Sequence, residues 1–283
     1  MAQDNEADEQ AGGFSAAEHE AIEERTRPST PVIYETLRRE GDEELDRPVS
    51  ALWWSGLAAG LSLSFSVIAE AMLQSHLPDA PWRPLVARSG YAVGFLIAVL
   101  GRQQLFTENT LTPVLTVMAD FNAANLGKIA RLWGIVLIAN LAGALIAALF
   151  CSLSPALPDD VLKAVREISA EAISPGPATL FWRAIPAGFV IAAMVWLLPP
   201  SGEAAFFVII VMTYIIAASG FAHVIVGASE AFFAAIAGRI TWPEAFTGYI
   251  APTLAGNVVG GTGLFALLSY GQVAQEIEEK QKS

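Results

Sequence analysis

The chain has 283 residues, of which 54% are hydrophobic and only 16% are charged. This composition supplies more apolar surface than one soluble core could bury, so we predict an integral membrane protein. The formal net charge of −12 argues against a nucleic-acid-binding protein, because an acidic chain has no positive surface for phosphates. The single cysteine, Cys151, can form no internal disulfide and is expected to pack within a span.

The N-terminal segment of residues 1–50 carries most of the negative charge, with 14 Asp or Glu against five Lys or Arg. We expect an acidic, solvated cytoplasmic tail there, with a regulatory segment as the alternative. Residues 51–271 form the predicted transmembrane domain, and residues 272–283 a short cytoplasmic tail. Lys and Arg near the span ends number nine on the predicted inner side and six on the outer, which favours cytoplasmic termini.

Six hydrophobic stretches are long enough to cross a hydrocarbon core of about 30 Å as helices. They lie near residues 51–75, 89–120, 130–153, 180–198, 204–236 and 245–270. The third and sixth are predicted to be plain helices. The second and fifth are interrupted at 101–109 and 219–227, and non-helical backbone at that depth needs shelter from lipid.

An internal repeat relates residues 51–153 to 180–270. The pattern L-x-W-x-x-L-x-A-G at 52–60 matches L-x-W-x-x-I-x-A-G at 180–188, and N-x-x-G at 140–143 matches the same pattern at 257–260. Gly101 in the first interruption matches Gly220 in the second. Three spans per half predict an all-α, aquaporin-like fold in which the second half is inverted, a 3+3 repeat with helices 2 and 5 interrupted.

In such a repeat the interrupted helices meet at the membrane midplane. Thr112 and Pro113 are a possible N-cap and first residue of the restarted helix, whose positive end favours an anion. Asn140 and Asn257 lie on intact helices and can hydrogen-bond backbone groups that the interruptions free. Ordinary contacts between helices are an equally good interpretation of these two amides.

At the interruptions the sequence resembles the formate/nitrite transporter family, over roughly residues 50–270. Four segments carry the likeness, in the order and span positions that the family uses: QLFTEN at 104–109, NLAG at 140–143, SGFAH at 219–223 and GNVVGG at 256–261. The resemblance implies a homopentamer of six-helix protomers, each with its own pore, in the bacterial inner membrane with both termini cytoplasmic.

The resemblance also implies roles for individual residues. Leu105, Phe106 and Thr107 would gate the cytoplasmic side, and His223 would face the solute at the centre of the pore. The outer hydrophobic constriction would be formed by Tyr91 and Phe95, which helical spacing places one turn apart. Loop-supporting roles are predicted for Asn109, Asn140 and Asn257.

The sequence departs from the family pattern at several polar positions. The family usually has Glu at the position of Gln104, often a small residue at Glu108, and commonly Glu at Ala222, while Arg102 replaces what is usually Gly. Asn residues of the family pattern are replaced by Gly188 and Gly227. The scaffold is retained with an altered polar lining, which indicates a divergent branch of the family.

A carboxylate entering an apolar constriction loses hydration at a cost of several kcal/mol or more. His223, the only histidine within a span, can donate a hydrogen bond or a proton to a weak-acid anion; a structural role is the alternative. Thr107 is expected to bind the solute or to cap a turn. Glu108 and Arg102 are possible charge modulators: they either form a pair, or Glu108 opposes anion entry.

These observations predict a channel or transporter for a small monovalent weak-acid anion such as formate or nitrite, without a cofactor. The alternatives are a pore for a small neutral solute and a non-conducting membrane scaffold of the same fold. No nucleophile with a base partner and no cluster with metal-ligand spacing occurs in the sequence, so we do not expect an enzyme or a metal protein. Besides the solute, the predicted partners are the lipid bilayer and copies of the same chain.

Overall fold

The computed structural model describes residues 26–282 together with Ser15, Ala17, Glu18 and Ile22, and all regular elements within this part of the chain are helical. The helices of the first half that position the site are α1 (Thr30–Asp46), α2 (Val49–His76), α3 (Ala92–Leu100), α4 (Thr112–Ala119) and α5 (Ala123–Leu153). Helix α5 begins seven residues before the predicted span, because Asn122 caps it by accepting from the Asn125 N–H.

The second half begins with α6 (Asp159–Ala172) and then contains the remaining apolar helices. These are α7 (Pro177–Leu197), α8 (Ala205–Ala218), α9 (Val224–Ile236), α10 (Ala251–Val258) and α11 (Leu267–Lys282). Helix α6 was not foreseen. It is amphipathic and buries Val161, Val165 and Ile168 against α2 and α9.

The last span is not the plain α-helix predicted for 245–270. Two π-helical segments, Ala245–Ile250 and Val259–Ala266, flank α10. A π-turn holds one residue more than an α-turn, which changes the direction in which later side chains point. The span therefore presents different residues to its neighbours than a regular 3.6-residue period would.

Helix α1 packs on the membrane domain, whereas a solvated tail was expected. Its apolar face buries Tyr34, Leu37 and Leu45, each at most 3% exposed. The Tyr34 hydroxyl donates to the Leu115 carbonyl at 3.4 Å, and the Thr116 hydroxyl donates to the Arg38 carbonyl at 2.9 Å. Residues 30–46 are thus part of the folded unit.

Five helical stretches of the described chain are long and apolar enough to cross a membrane, and the stretches 202–218 and 224–236 are apolar but shorter. Large apolar side chains also cover the outside of the protein: Trp54 and Trp182 are 68% and 69% exposed, and Phe150 is 62% exposed. Such a surface suits lipid or another subunit rather than water. The chain is an all-helical integral membrane protein.

Candidate pore site

The first interruption begins where α3 ends. Arg102 adopts a left-handed φ of 50°, while the Gln103 N–H donates to the Ala98 carbonyl at 2.9 Å and the Arg102 N–H donates to the Val99 carbonyl at 3.0 Å. These two bonds are those of a Schellman motif, which stops a helix. The chain then runs through Gln104, Leu105, Phe106 and Thr107 without helical hydrogen bonds between them.

The second interruption repeats this ending after α8. Gly220 has a φ of 65°, and the N–H groups of Phe221 and Gly220 donate to the carbonyls of Ile216 and Ala217 at 3.0 and 3.1 Å. Arg102, not Gly101, therefore corresponds to Gly220. The sequence comparison was wrong by one residue because it matched glycine with glycine, whereas the shared feature is the left-handed residue that ends the helix.

The Asn140 amide holds the first interruption in place. Its Oδ1 accepts from the Phe106 N–H at 2.9 Å, and its Nδ2 donates to the carbonyls of Gln104 and Gly56 at 2.9 and 2.8 Å. The Asn140 side chain is fully buried. One side chain thus satisfies backbone groups on both sides of Leu105 that would otherwise lack partners in an apolar environment.

Asn257 does the same in the second interruption. Its Oδ1 accepts from the Val224 N–H at 2.8 Å, and its Nδ2 donates to the carbonyls of Ala222 and Ala184 at 2.9 and 2.8 Å. His223 therefore occupies the position in the second interruption that Leu105 occupies in the first.

Asn109 supports the first interruption from its far end. Its Nδ2 donates to Oε1 of Gln104 at 3.0 Å, and its carbonyl accepts from the Trp133 indole at 2.8 Å. The Trp133 ring also packs edge-on against Phe106, with 5.6 Å between ring centroids. Leu105, Phe106 and Thr107 are all buried, at 0%, 2% and 0% exposed.

The two interruptions meet at Thr107 and His223. The Thr107 Oγ1 lies 2.8 Å from Nε2 of His223, and Nδ1 of His223 accepts from the Val226 N–H at 3.4 Å. Because Nδ1 is an acceptor, the proton of the neutral ring belongs on Nε2, which then donates to Thr107. Both side chains are buried, at 0% and 1% exposed.

The two predicted constriction residues stack towards this contact. Tyr91 and Phe95 lie with ring centroids 5.5 Å apart, and Phe95 meets the His223 ring edge-on at 5.0 Å. Tyr91 is 6% exposed and Phe95 fully buried. Four of the six predicted pore residues thus form one series of contacts, which we call the column: Tyr91, Phe95, His223 and Thr107.

A cavity of about 560 Å³ lies between α1 and the first interruption, and we call it the α1 vestibule. Helix α1 and the first interruption line it with acidic and basic side chains: Glu40, Glu43, Glu44, Arg47, Arg102 and Glu108. If all six side chains are ionised, the four glutamates outnumber the two arginines and the lining has a net charge of −2.

Glu44 is the residue of this vestibule that sequence reasoning missed. Its Oε2 accepts from the Thr112 hydroxyl at 2.7 Å, and its Oε1 accepts from Nε2 of Gln104 at 3.3 Å. Burial raises the pKa of the Glu44 carboxyl above its ordinary value, against the opposing effect of these hydrogen bonds. A Glu in a charged amphipathic segment gives no signal that it will reach a loop 60 residues away.

Two expectations about the first interruption are corrected here. Thr112 is the first residue of α4 and not its N-cap, which is Leu111; its hydroxyl is used by Glu44 instead. Arg102 makes its ion pair with Glu40, at 3.6 Å, and not with Glu108. Oε1 of Glu108 is buried without a hydrogen-bond partner.

A second cavity, of about 110 Å³, reaches Tyr91 and His223 of the column. We call it the α6 vestibule, because residues 168–172 of α6 form part of its wall. Its ionisable and phenolic side chains are Glu70, Arg88, Tyr91, Glu171, Arg183, Glu230 and Tyr249. No group of three or more His, Cys, Asp or Glu residues that could hold a metal ion occurs in the described part of the chain.

Two bacterial proteins are similar to this chain over most of its length. The Inner membrane protein YfdC of Escherichia coli (strain K12) is 39% identical over 264 residues, which cover 93% of this chain and 85% of that protein. The Uncharacterized transporter YrhG of Bacillus subtilis (strain 168) is 27% identical over 248 residues, covering 84% of this chain and 92% of that protein.

The fold is shared with solved channel structures. An FNT family ion channel superimposes with a TM-score of 0.73 at 19% identity, covering 86% of this chain and 98% of that one. A pentameric formate channel with formate bound superimposes with a TM-score of 0.68 at 18% identity, covering 80% and 98%. The sequence profile described as Formate/nitrite transporter matches residues 31–271. The resemblance predicted from the interruptions is confirmed: the chain belongs to the formate/nitrite transporter family.

Proposed function

We propose that this chain forms a pore for a small monovalent weak acid, which crosses between the two vestibules past His223. The observation that carries the proposal is the 2.8 Å contact between Thr107 and His223, which joins the two interruptions. Membership of a transporter family supports transport rather than catalysis. The formate bound in one solved relative of the same fold supports a solute of that size and charge.

The proposed architecture is six spans arranged as an inverted 3+3 repeat. Support comes from the matching hydrogen bonds of Asn140 and Asn257 and from the matching ends of α3 and α8. The helix contacts within each half also match. A Cβ at Gly60 would collide with the Asn140 carbonyl in the first half, and a Cβ at Gly188 would collide with the Asn257 carbonyl in the second. An odd number of spans per half requires opposite orientations.

Five such protomers with cytoplasmic termini are the proposed assembly, in the bacterial inner membrane. A pentameric formate channel of the same fold supports the subunit number, and the large exposed apolar residues give a surface for subunit contacts. The name of the Escherichia coli relative supports the inner membrane.

In the proposed mechanism, the neutral His223 ring holds one proton at Nε2 and shares it with Thr107. A weak-acid anion that displaces Thr107 accepts a hydrogen bond from Nε2. It receives a proton only after the ring has taken up a second proton from vestibule water, so that the transfer from Nε2 returns the ring to its neutral form. A neutral acid crosses an apolar constriction at far lower cost than an anion. Leu105 and Phe106 form the apolar gate towards the α1 vestibule, while Tyr91 and Phe95 form the constriction towards the α6 vestibule.

The test is a proteoliposome assay of formate uptake with and without a pH gradient. His223→Asn is the informative variant, because Asn keeps a cap acceptor for the Val226 N–H but cannot exchange a proton near neutral pH. We expect proton-linked uptake to fall at least tenfold, with an unchanged melting temperature. Uptake that ignores pH and persists in His223→Asn would refute the role of this histidine.

A small neutral solute is the second candidate, and the charge of the vestibules favours it. Acids exceed bases by two in the α1 vestibule and by one in the α6 vestibule when all groups are ionised. Negative walls repel anions and leave neutral molecules unaffected. Osmotic shrinkage of proteoliposomes in glycerol or urea separates the candidates: rapid glycerol or urea entry with no formate entry supports the neutral pore.

A further inference from the structure

Thr107, which meets His223 in the column, is itself held by Thr110. The Thr110 hydroxyl donates to the Thr107 carbonyl at 2.7 Å, and both side chains are fully buried. Because Thr is branched at Cβ, its side chain has few allowed rotamers, and the position of its backbone decides where Oγ1 lies. The bond from Thr110 therefore helps to place the Thr107 hydroxyl at 2.8 Å from Nε2 of His223.

Thr110 is in turn bound by the last span. The Thr262 hydroxyl donates to the Thr110 carbonyl at 2.7 Å. A Cβ built on the preceding residue, Gly261, would collide with the Thr110 hydroxyl, so this glycine leaves the space that the hydroxyl needs. Three hydrogen bonds in series thus connect Thr262 to Thr110, Thr110 to Thr107, and Thr107 to His223.

The same span also positions the other member of the contact. Asn257 bonds to backbone groups on both sides of His223, and Thr262 follows Asn257 by five residues. Five α-helical steps of 100° would turn Thr262 about 140° away from Asn257. The π-helical segment Val259–Ala266 turns less per residue, because each of its turns holds one residue more. It therefore brings Thr262 closer to the side of the span on which Asn257 lies.

These threonine bonds have no counterpart in the other half of the repeat. The equivalent positions can be counted from the matched pairs, Leu105 with His223 and Asn140 with Asn257. The three threonines correspond to residues with hydrocarbon side chains: Ile225, Ala228 and Leu145. Such side chains cannot donate a hydrogen bond. The asparagine bonds that shape the interruptions occur in both halves, whereas the threonine bonds occur only on the side that supplies Thr107.

We propose that Thr110 and Thr262 are positioning residues, which fix the Thr107 hydroxyl against His223 from the last span. The inference rests on the transport function proposed above and identifies what holds its central contact in place. It also assigns a task to the π-helical segment Val259–Ala266, which is to direct Thr262 towards the first interruption while Asn257 holds the second.

The first readout is the His223 ring itself, observed by nuclear magnetic resonance of protein labelled with ¹⁵N-histidine. The chain has three histidines, and His223→Asn identifies the resonances of His223. The proton on Nε2 resonates at lower frequency when its hydrogen bond is lost, and Thr107→Val gives the value for complete loss. In Thr262→Val and Thr110→Val we expect this resonance to move most of the way from the wild-type value to that of Thr107→Val.

The second readout is formate uptake into proteoliposomes. Thr262→Val is expected to lower uptake about threefold or more, because one hydrogen bond of the series is lost. In a Thr107→Val background the same change should have no further effect. Thr262→Ser keeps the hydroxyl and is expected to preserve both readouts. The matched control is Thr213→Val, since the buried Thr213 hydroxyl donates to the Ile209 carbonyl of its own helix at 2.8 Å; wild-type values are expected.

A pair of glycine variants tests the same series through Thr110. In Gly261→Ala the added methyl group would displace the Thr110 hydroxyl. Gly263→Ala adds the same group where the nearest side-chain atom, a methyl carbon of Val259, is 3.9 Å away. We expect the His223 resonance to move in Gly261→Ala and to keep its wild-type position in Gly263→Ala.

The outcomes separate this inference from the transport function. If the wild type takes up formate and the His223 resonance is unchanged in folded Thr262→Val and Thr110→Val, the inference is overturned while transport stands. A loss in Thr262→Val that also occurs in Thr262→Ser overturns it as well, because the role of Thr262 would then be steric. If the resonance moves as expected but the wild type takes up no formate, the positioning of Thr107 stands and the transport function is refuted.

Discussion

Asn140 and Asn257 make the same three hydrogen bonds in two separate parts of the chain: each accepts one backbone N–H and donates to two carbonyls. In both cases two of the three bonded groups flank one residue, Leu105 or His223. The amide is suited to this task because it combines an acceptor with two donors in one plane. The interruptions are consequently defined by side chains of intact helices and not by their own sequences alone.

Asn140→Ala is expected to destabilise the protein by about 3 kcal/mol or more, because it leaves one buried N–H and two buried carbonyls without partners. Thermal unfolding in detergent measures the loss. Asn125→Ala is the control, since the Asn125 amide bonds only to the exposed Asp120. Equal melting temperatures for the two variants would contradict the assignment.

Thr107→Val is expected to reduce formate uptake about tenfold or more, because it keeps the shape of Thr107 but removes the hydroxyl that holds the His223 ring in place, with its proton on Nε2, before the solute arrives. A tenfold change corresponds to about 1.4 kcal/mol, within the range of one buried hydrogen bond. Thr107→Ser retains the hydroxyl and should stay within threefold of the wild type. Proteoliposome flux at fixed protein density gives the comparison, and equal loss in both variants would assign Thr107 a purely steric role.

Glu44→Gln is expected to make stability less dependent on pH. Burial raises the pKa of Glu44 above 4.5 in the folded protein, so the folded state holds this proton more tightly than the unfolded state. The resulting stabilisation is complete below pH 4.5 and is lost as the pH rises through the raised pKa. As the pH rises from 4.5 through the raised pKa, the melting temperature of the wild type should therefore decline more than that of Glu44→Gln. Equal declines in the two proteins would show that Glu44 does not cause the pH dependence.

Arg102→Gly is expected to leave stability unchanged or to increase it by up to about 1 kcal/mol. A non-glycine residue at φ 50° is strained by about 1–2 kcal/mol, which glycine relieves at some cost in chain entropy. The Glu40 ion pair that is lost is exposed and of little value. Gly220→Ala is the reverse change at φ 65° and should destabilise by about 1 kcal/mol; chemical unfolding compares the two.

The spans and their interruptions could be predicted because hydropathy and helix-breaking residues are local properties of the sequence. The two asparagines could be singled out because polar amides are conspicuous in apolar helices. The sequence comparison was one residue out at Gly101, since residue identity does not reveal which position adopts the left-handed conformation.

What could not be predicted depends on contacts between distant segments. Nothing in residues 30–46 indicates that Glu44 will bond to Thr112, because an amphipathic helix is equally compatible with solvent on its polar face. The close packing of Tyr249 on Gly227, where a Cβ would collide with the phenol, depends on how the last span winds, and one sequence contains no signal for a π-turn. These contacts decide the polar lining of the vestibules.

The π-helical segment Ala245–Ile250 has a consequence for how such a protein can diverge. Removing Ile250, the last residue of this segment, would restore a regular α-helix and rotate everything before the cut by about 100° relative to Asn257. Tyr249 would turn away from α9 while the asparagine kept its bonds. A single-codon deletion is therefore enough to exchange the side chains that line one wall of the α6 vestibule and to leave the framework of the fold intact.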